Sequence, residues 1–173
     1  MFLTKDITAQ AGTMALLPQV VDAVKVPVIA AGGIADGRAI AAAFALGATG
    51  VQIGTAYLFT PQALITDIHR DALHQAKDDQ TVLTNVFSGK PARGLINRVI
   101  QEVGPISDKT PPFPTAGAAL APLKARAEAA GSGDFTSLWS GQAAALARDL
   151  DAGELTRTLA SDAQKRLKSL AGK

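Results

Sequence analysis

The sequence predicts an α/β protein built on parallel strands, and three observations carry that reading. Two short β-rich runs, residues 26–31 and 50–55, flank a segment whose apolar residues recur at helical spacing, so the three read as one β-α-β unit. The first run, Val26-Pro27-Val28-Ile29-Ala30-Ala31, has no polar alternation, as in a strand buried on both faces. The 173 residues are 47% hydrophobic and 18% charged, enough to bury a core and too apolar for disorder.

Before the first strand, Leu16, Val20, Val21 and Val24 share one helical face within residues 12–24; at Pro18 the helix either bends or has begun only about one turn earlier, and Lys25 marks its end. The first strand stops at Gly32-Gly33. Asp36 follows with an acceptor for the first free amides of a helix running to about Leu46, and Gly47 ends that helix in a left-handed conformation. Ile40 and Phe44 stand one turn apart on its inward face. The second strand then returns parallel to the first, so both end on one edge of the sheet.

After Thr60-Pro61 a further helix is expected to about Lys77, with Ala63, Leu64, Ile68, Ala72 and Leu73 as its stripe, and residues 81–87 read as a third strand. Residues 90–94 break the pattern and lead into a short helix over 95–102. A proline-rich connector, 105–114, marks a boundary. Beyond it, residues 118–130, 136–150 and 154–170 read as helices. The last carries Asp151 and Glu154 early and Lys165, Arg166 and Lys168 late, complementing its dipole. The expected division is therefore βα units over 1–104 and a helical region over 105–173.

Composition removes several function classes. Lys plus Arg number 17 against 15 Asp plus Glu, a balance too small for nucleic-acid binding by counterion release. There is no Cys, hence no disulfide framework, thiolate metal site or cysteine nucleophile. Residues 1–6 lack the pattern of a secretory leader, and the longest uncharged stretch, 39–64, is broken by Gly47, Gly50, Gly54 and Pro61. The expectation is a soluble, cytoplasmic protein without a membrane segment.

The most informative chemistry lies at the strand ends, Gly32-Gly33 and Gly54-Thr55. Strands lie about 4.8 Å apart, so amides from both turns, the Thr55 hydroxyl and the helix start at Asp36 can converge on one phosphate dianion. Glycine admits the anion because a Cβ would hold it off the backbone. In (β/α)8 barrels a phosphate site commonly follows the last two strands. The competing reading is two ordinary glycine turns. A Rossmann site is disfavoured, because 32–37 is not G-x-G-x-x-G and no acid stands about 20 residues later. Ser88-Gly89-Lys90-Pro91 likewise lacks the parts of a P-loop.

His69 and His74, five apart, point to different helix faces and cannot share a metal, so both read as solvated positions. Lys90, Arg93, Asn97 and Arg98 read as a solvated turn, with a second anion site as the alternative. Trp139 reads as a packing residue.

The runs Pro27-Val28-Ile29-Ala30-Ala31-Gly32-Gly33-Ile34-Ala35-Asp36-Gly37-Arg38, Val51-Gln52-Ile53-Gly54-Thr55, Phe87-Ser88-Gly89-Lys90-Pro91-Ala92-Arg93-Gly94 and Leu138-Trp139-Ser140-Gly141-Gln142 resemble, in order and spacing, the nitronate monooxygenase (2-nitropropane dioxygenase) family. The resemblance implies a TIM-type (β/α) barrel with a helical extension, of which this chain is the C-terminal half. It implies FMN as cofactor, and O2-dependent oxidation of alkyl nitronates of the propionate 3-nitronate class to carbonyl product and nitrite. Gly33 and Gln52, Ile53, Gly54 and Thr55 match the family's FMN contacts, with Gly32 beside them.

Family members carry a segment of the form Ala-Gly-Gly-His-Arg-Gly, with a functional His, just before the position Met1 holds here. Such barrels need about 250 residues. The chain is thus expected to be incomplete and inactive alone, to contribute no catalytic residue and no metal ligand, and to be completed by self-pairing or by a missing N-terminal barrel half. Two other functions stay open: an FMN barrel oxidoreductase of the enoyl-thioester reductase type, and a non-catalytic module binding a phosphate ligand.

Overall fold

The computed structural model describes residues 6–172, so the leader reading of residues 1–5 lies outside the described residues. In chain order the elements are α1 (Thr13–Ala23), β1 (Ile29–Ala31), α2 (Gly37–Ala45), β2 (Gly50–Gln52), α3 (Thr55–Leu58), α4 (Asp67–Gln75), β3 (Thr81–Thr84), β4 (Ala92–Leu95), α5 (Arg98–Val103), α6 (Ala116–Ala129) and α7 (Ala152–Leu170). The architecture is α/β. Two compact units share the chain: one formed by residues 6–10 and 65–145, the other by 11–64 and from 146 onward. The connector 105–114 lies inside the former. No helix among the described residues is long and apolar enough to cross a membrane.

The unit containing β1 and β2 realises the expected β-α-β pattern. β1 pairs parallel with β2, in the register Ile29↔Gly50, Ala30↔Val51 and Ala31↔Gln52. Asp36 caps α2, its Oδ1 accepting from the amides of Arg38 (2.9 Å) and Ala39 (3.1 Å). Gly47, at φ +93°, ends the helix as the sequence predicts. At the far end of the chain Asp151 caps α7 by accepting from Gly153 (2.8 Å) and Glu154 (3.3 Å). Leu155, Leu159 and Ala163, spaced by four on α7, form a buried stripe that packs with Leu17, Ala30, Ile40 and Ala43.

Several expectations need correction here. β1 and β2 are three residues each, because among the described residues they form a two-stranded sheet with no further ladder to extend them. For the same reason the first strand run is not covered on both faces: Val26 is 68% and Ile29 64% exposed. On α1 the inward face runs through Leu17 and Val21, leaving Leu16, Val20 and Val24 exposed. On α2, Ile40 is buried but Phe44 is exposed. A four-residue helix, α3, directly follows Gly54, where the sequence suggested none.

In the other unit, α4 starts at Asp67 rather than near Pro61. Thr66 caps it, its hydroxyl accepting from the His69 amide at 3.3 Å, and Leu64 lies outside the helix, fully exposed. The third strand is present as β3, but its partner β4 falls in the segment read as a turn and the start of a helix, antiparallel with Thr81↔Leu95 and Thr84↔Ala92. Residues 136–150 are not the expected helix. The Leu95 amide donates to the Leu138 carbonyl (2.8 Å) and the Ser140 amide to the Arg93 carbonyl (3.2 Å), so this stretch runs beside β4. Only the 3₁₀ turn Ala144–Leu146 is helical before α7. Trp139 stands edge-on to Phe87, ring centroids 5.1 Å apart, against a core of Val86, Phe87, Val99 and Ile100.

Candidate functional site

The candidate residues all lie where β1 and β2 leave their sheet. Because the parallel ladder ends at Ala31↔Gln52, the turns Gly32-Gly33 and Ile53-Gly54 emerge from the same edge. Gly32 and Gly33 have φ +107° and +71°, a region that L-residues with a Cβ rarely enter. At Gly33 and at Gly54 a Cβ would meet no heavy atom within 4 Å, so the space before both is open. At Gly32 it would lie 2.9 Å from Thr13 Oγ1, against which this turn is packed. Gln52 and Gly54 are exposed, Thr55 and Ile53 half-buried, and Ile53 also packs on the core. Thr55 opens α3. All six residues, Gly32, Gly33, Gln52, Ile53, Gly54 and Thr55, are thus brought to one edge.

The helix start expected to join them is occupied by its own side chain. Asp36 takes the free amides of Arg38 and Ala39, and its Oδ2 accepts from Arg38 Nε at 2.7 Å. Burial pushes the Asp36 carboxyl up, but the Arg38 guanidinium and the two amides outweigh it and leave the group below its usual range. An ionised carboxylate therefore fills the pole of α2, and an anion at this edge would meet the turn backbones rather than that helix.

The chemistry available is that of bare main chain. Two glycine turns on neighbouring strands, with open space before Gly33 and Gly54, let a phosphate oxygen approach the backbone where a side chain would block it. That geometry fits a phosphate-bearing group.

Of the remaining polar candidates, His69, Arg93, Asn97 and Arg98 are engaged by neighbouring groups. His69 is 6% exposed rather than solvated, with Nε2 2.9 Å from the Trp139 carbonyl oxygen. Burial holds its pKa below the ordinary histidine value, the Trp139 carbonyl raising and Lys124 further lowering it. His74, by contrast, is exposed. Arg93 donates to the Thr81 carbonyl (3.0 Å) and hydroxyl (3.1 Å), Asn97 to the carbonyls of Gly133 (2.8 Å) and Thr136 (2.9 Å), and Arg98 pairs with Glu102 at 2.7 Å. Arg93 and Asn97 thus brace strands and loops, whereas the Arg98–Glu102 pair lies within α5. Among the described residues no group of acids and histidines is placed to hold a metal.

Sequence reading missed an apolar groove of about 350 Å³ in the unit of β1 and β2, lined by Phe44, Val51, Ile53, Tyr57, Leu159 and Leu167 among others. Its one legible signal was Phe44, the aromatic of an alanine-rich helix.

Comparison with known proteins bears on the same region. The sequence model of the nitronate monooxygenase family matches residues 4–162. A probable nitronate monooxygenase of Staphylococcus saprophyticus is 39% identical over 160 residues, 92% of this chain and 45% of that protein. One from Staphylococcus aureus strain JH9 is 42% identical over 143 residues, 83% of this chain and 40% of the relative. Among solved structures, a nitroalkane oxidase from Streptomyces ansochromogenes is similar at TM-score 0.86 and 38% identity, covering 96% of this chain and 48% of the other. FabK from Thermotoga maritima is similar at TM-score 0.78 and 30% identity, covering 95% and 52%. The chain spans about half the length of the relatives it matches.

Proposed function

The chain belongs to the nitronate monooxygenase family, and from that premise we propose that its β1–β2 edge holds the phosphate end of FMN in an enzyme oxidising alkyl nitronates. The substrates would be of the propionate 3-nitronate class, converted with O2 to carbonyl compound and nitrite. One observation carries the reading: the parallel register that ends at Ala31↔Gln52, with positive φ at Gly32 and Gly33 and open space before Gly33 and Gly54. Gly32, Gly33 and Gly54 admit the phosphate to the backbone, the Thr55 hydroxyl reaches it, and Gln52 and Ile53 border the rest of the cofactor. When bound, the flavin would supply the redox chemistry. No residue of this chain is assigned a catalytic proton transfer.

The same reading takes the chain as βα units of a TIM-type barrel with a helical extension. It is supported by the half-length coverage of the relatives and by the exposed apolar residues Val26 and Ile29 at the sheet. The barrel is completed by an N-terminal half or a second copy, and the chain alone turns over no nitronate. Its place is the cytoplasm.

The test fuses this chain behind the portion of the Staphylococcus saprophyticus relative that it does not cover. A yellow protein with nitronate-dependent O2 uptake is expected, and Gly33→Val should weaken FMN binding by about tenfold or more, the loss of one or two charge-assisted hydrogen bonds. A colourless, FMN-indifferent fusion overturns the proposal. NAD(P)H oxidation without nitronate turnover would instead favour the enoyl-thioester reductase type, and FMN binding with neither activity a non-catalytic module.

A further inference from the structure

A second concavity lies in the unit of β1 and β2, away from the glycine turns, with a volume of about 390 Å³. Its walls are α2, the segment before α7, and the late turns of α7. Asp162, Lys165, Arg166 and Ser169 follow one another at i, i+3, i+4 and i+7, so they share one face of α7. Beside that face comes the first turn of α2. Gly37 makes the approach tight, since a Cβ there would stand 2.6 Å from the Ala163 amide nitrogen. Arg38 and Arg148 complete the lining.

The charges do not cancel. Asp36 is matched by Arg38 at 2.5 Å and Asp162 by Arg148 at 3.2 Å. Each carboxylate thereby holds one guanidinium at the rim, and Lys165 and Arg166 have no anionic partner of their own among the described residues. The pairing of basic residues with a helix C-terminus accounts for cations in the last turns of α7. It does not account for their meeting two arginines from separate segments around one hollow. The α2 amides are no part of the attraction, because Asp36 already occupies them. The site is built from side chains.

We propose that this hollow binds a small molecule carrying at least two phosphate charges, held by Lys165 and Arg166 and flanked by the carboxylate-oriented Arg38 and Arg148. Its volume falls within the range of small-molecule sites, roughly 300–1,000 Å³, and exceeds what a single phosphate fills. Guanidinium forks suit phosphate oxygens, and two uncommitted cations match a diphosphate better than a monoanion. The proposal is independent of the flavin assignment, which concerns the β1–β2 edge.

The probe is inorganic pyrophosphate, titrated calorimetrically into the chain. Saturable one-to-one binding is expected. The double variant Lys165→Gln/Arg166→Gln should weaken it about tenfold or more, while Lys109→Gln/Arg126→Gln, which removes the same charge from exposed positions elsewhere, and Gly33→Val should leave it within about twofold. Thermal melts of all variants establish that each remains folded. Absence of binding, or equal weakening by both charge variants, overturns the proposal, and so does loss of binding in Gly33→Val, which would move the anion to the glycine turns. A flavin reading that fails leaves the pyrophosphate result untouched.

Discussion

Gly37 and Gly33 are four residues apart and are glycine for different reasons. At Gly37 the constraint is space: a Cβ would lie 2.6–2.7 Å from the backbone of Asp162 and Ala163, which cannot yield as a flexible side chain would. Gly37→Ala should therefore lower stability by about 1–3 kcal/mol through overpacking, although alanine is the better helix former by about 1 kcal/mol. A thermal melt showing Gly37→Ala as stable as the parent would refute this. At Gly33 the constraint is φ, with nothing in the way of a Cβ, so substitution acts on what approaches the backbone. The turns at Gly32, Gly33 and Gly54 were legible because each directly follows a β-rich run. The reason for Gly37 was not, because the backbone it touches is contributed by residues far along the chain.

Among elements, helices with strong caps were readable: Asp36, Gly47 and Asp151 each sit at the boundary they signal. Strand β4 and the stretch 138–140 were not, since pairing with a distant neighbour overrides the local turn and helix patterns of both. His69 belongs to this scale, because it joins α4 to the Trp139 carbonyl. Burial lowers its pKa in the folded state, so the unfolded chain takes up the proton first, and stability falls as pH drops below the ordinary histidine value of about 6.5. Melting temperature should decline between about pH 7 and pH 5.5, and His69→Gln should flatten that decline while lowering stability at pH 7. An undiminished decline in the variant would assign it to other groups.

For the whole molecule, the parallel pair was foreseen but not the size of its sheet, because sequence patterning reports that a strand expects cover and not whether cover is supplied. Ile29 and Val26 remain in water beside unpaired strand edges, a combination that invites association between copies. Light scattering at increasing concentration should show self-association, and Ile29→Lys should reduce it with little change in melting temperature; equal scattering by the variant would place the sticky surface elsewhere. The interleaving of the two units has another bearing. α2 and the β1–β2 pair rest on α7, yet the residues of the other unit are synthesised between them. At roughly 5–20 residues per second, a ribosome needs about 6–24 s to pass from β2 to the end of α7. Throughout that interval the glycine turns emerge on an unfinished support, open to chaperones and proteases, while the intervening unit has time to fold first.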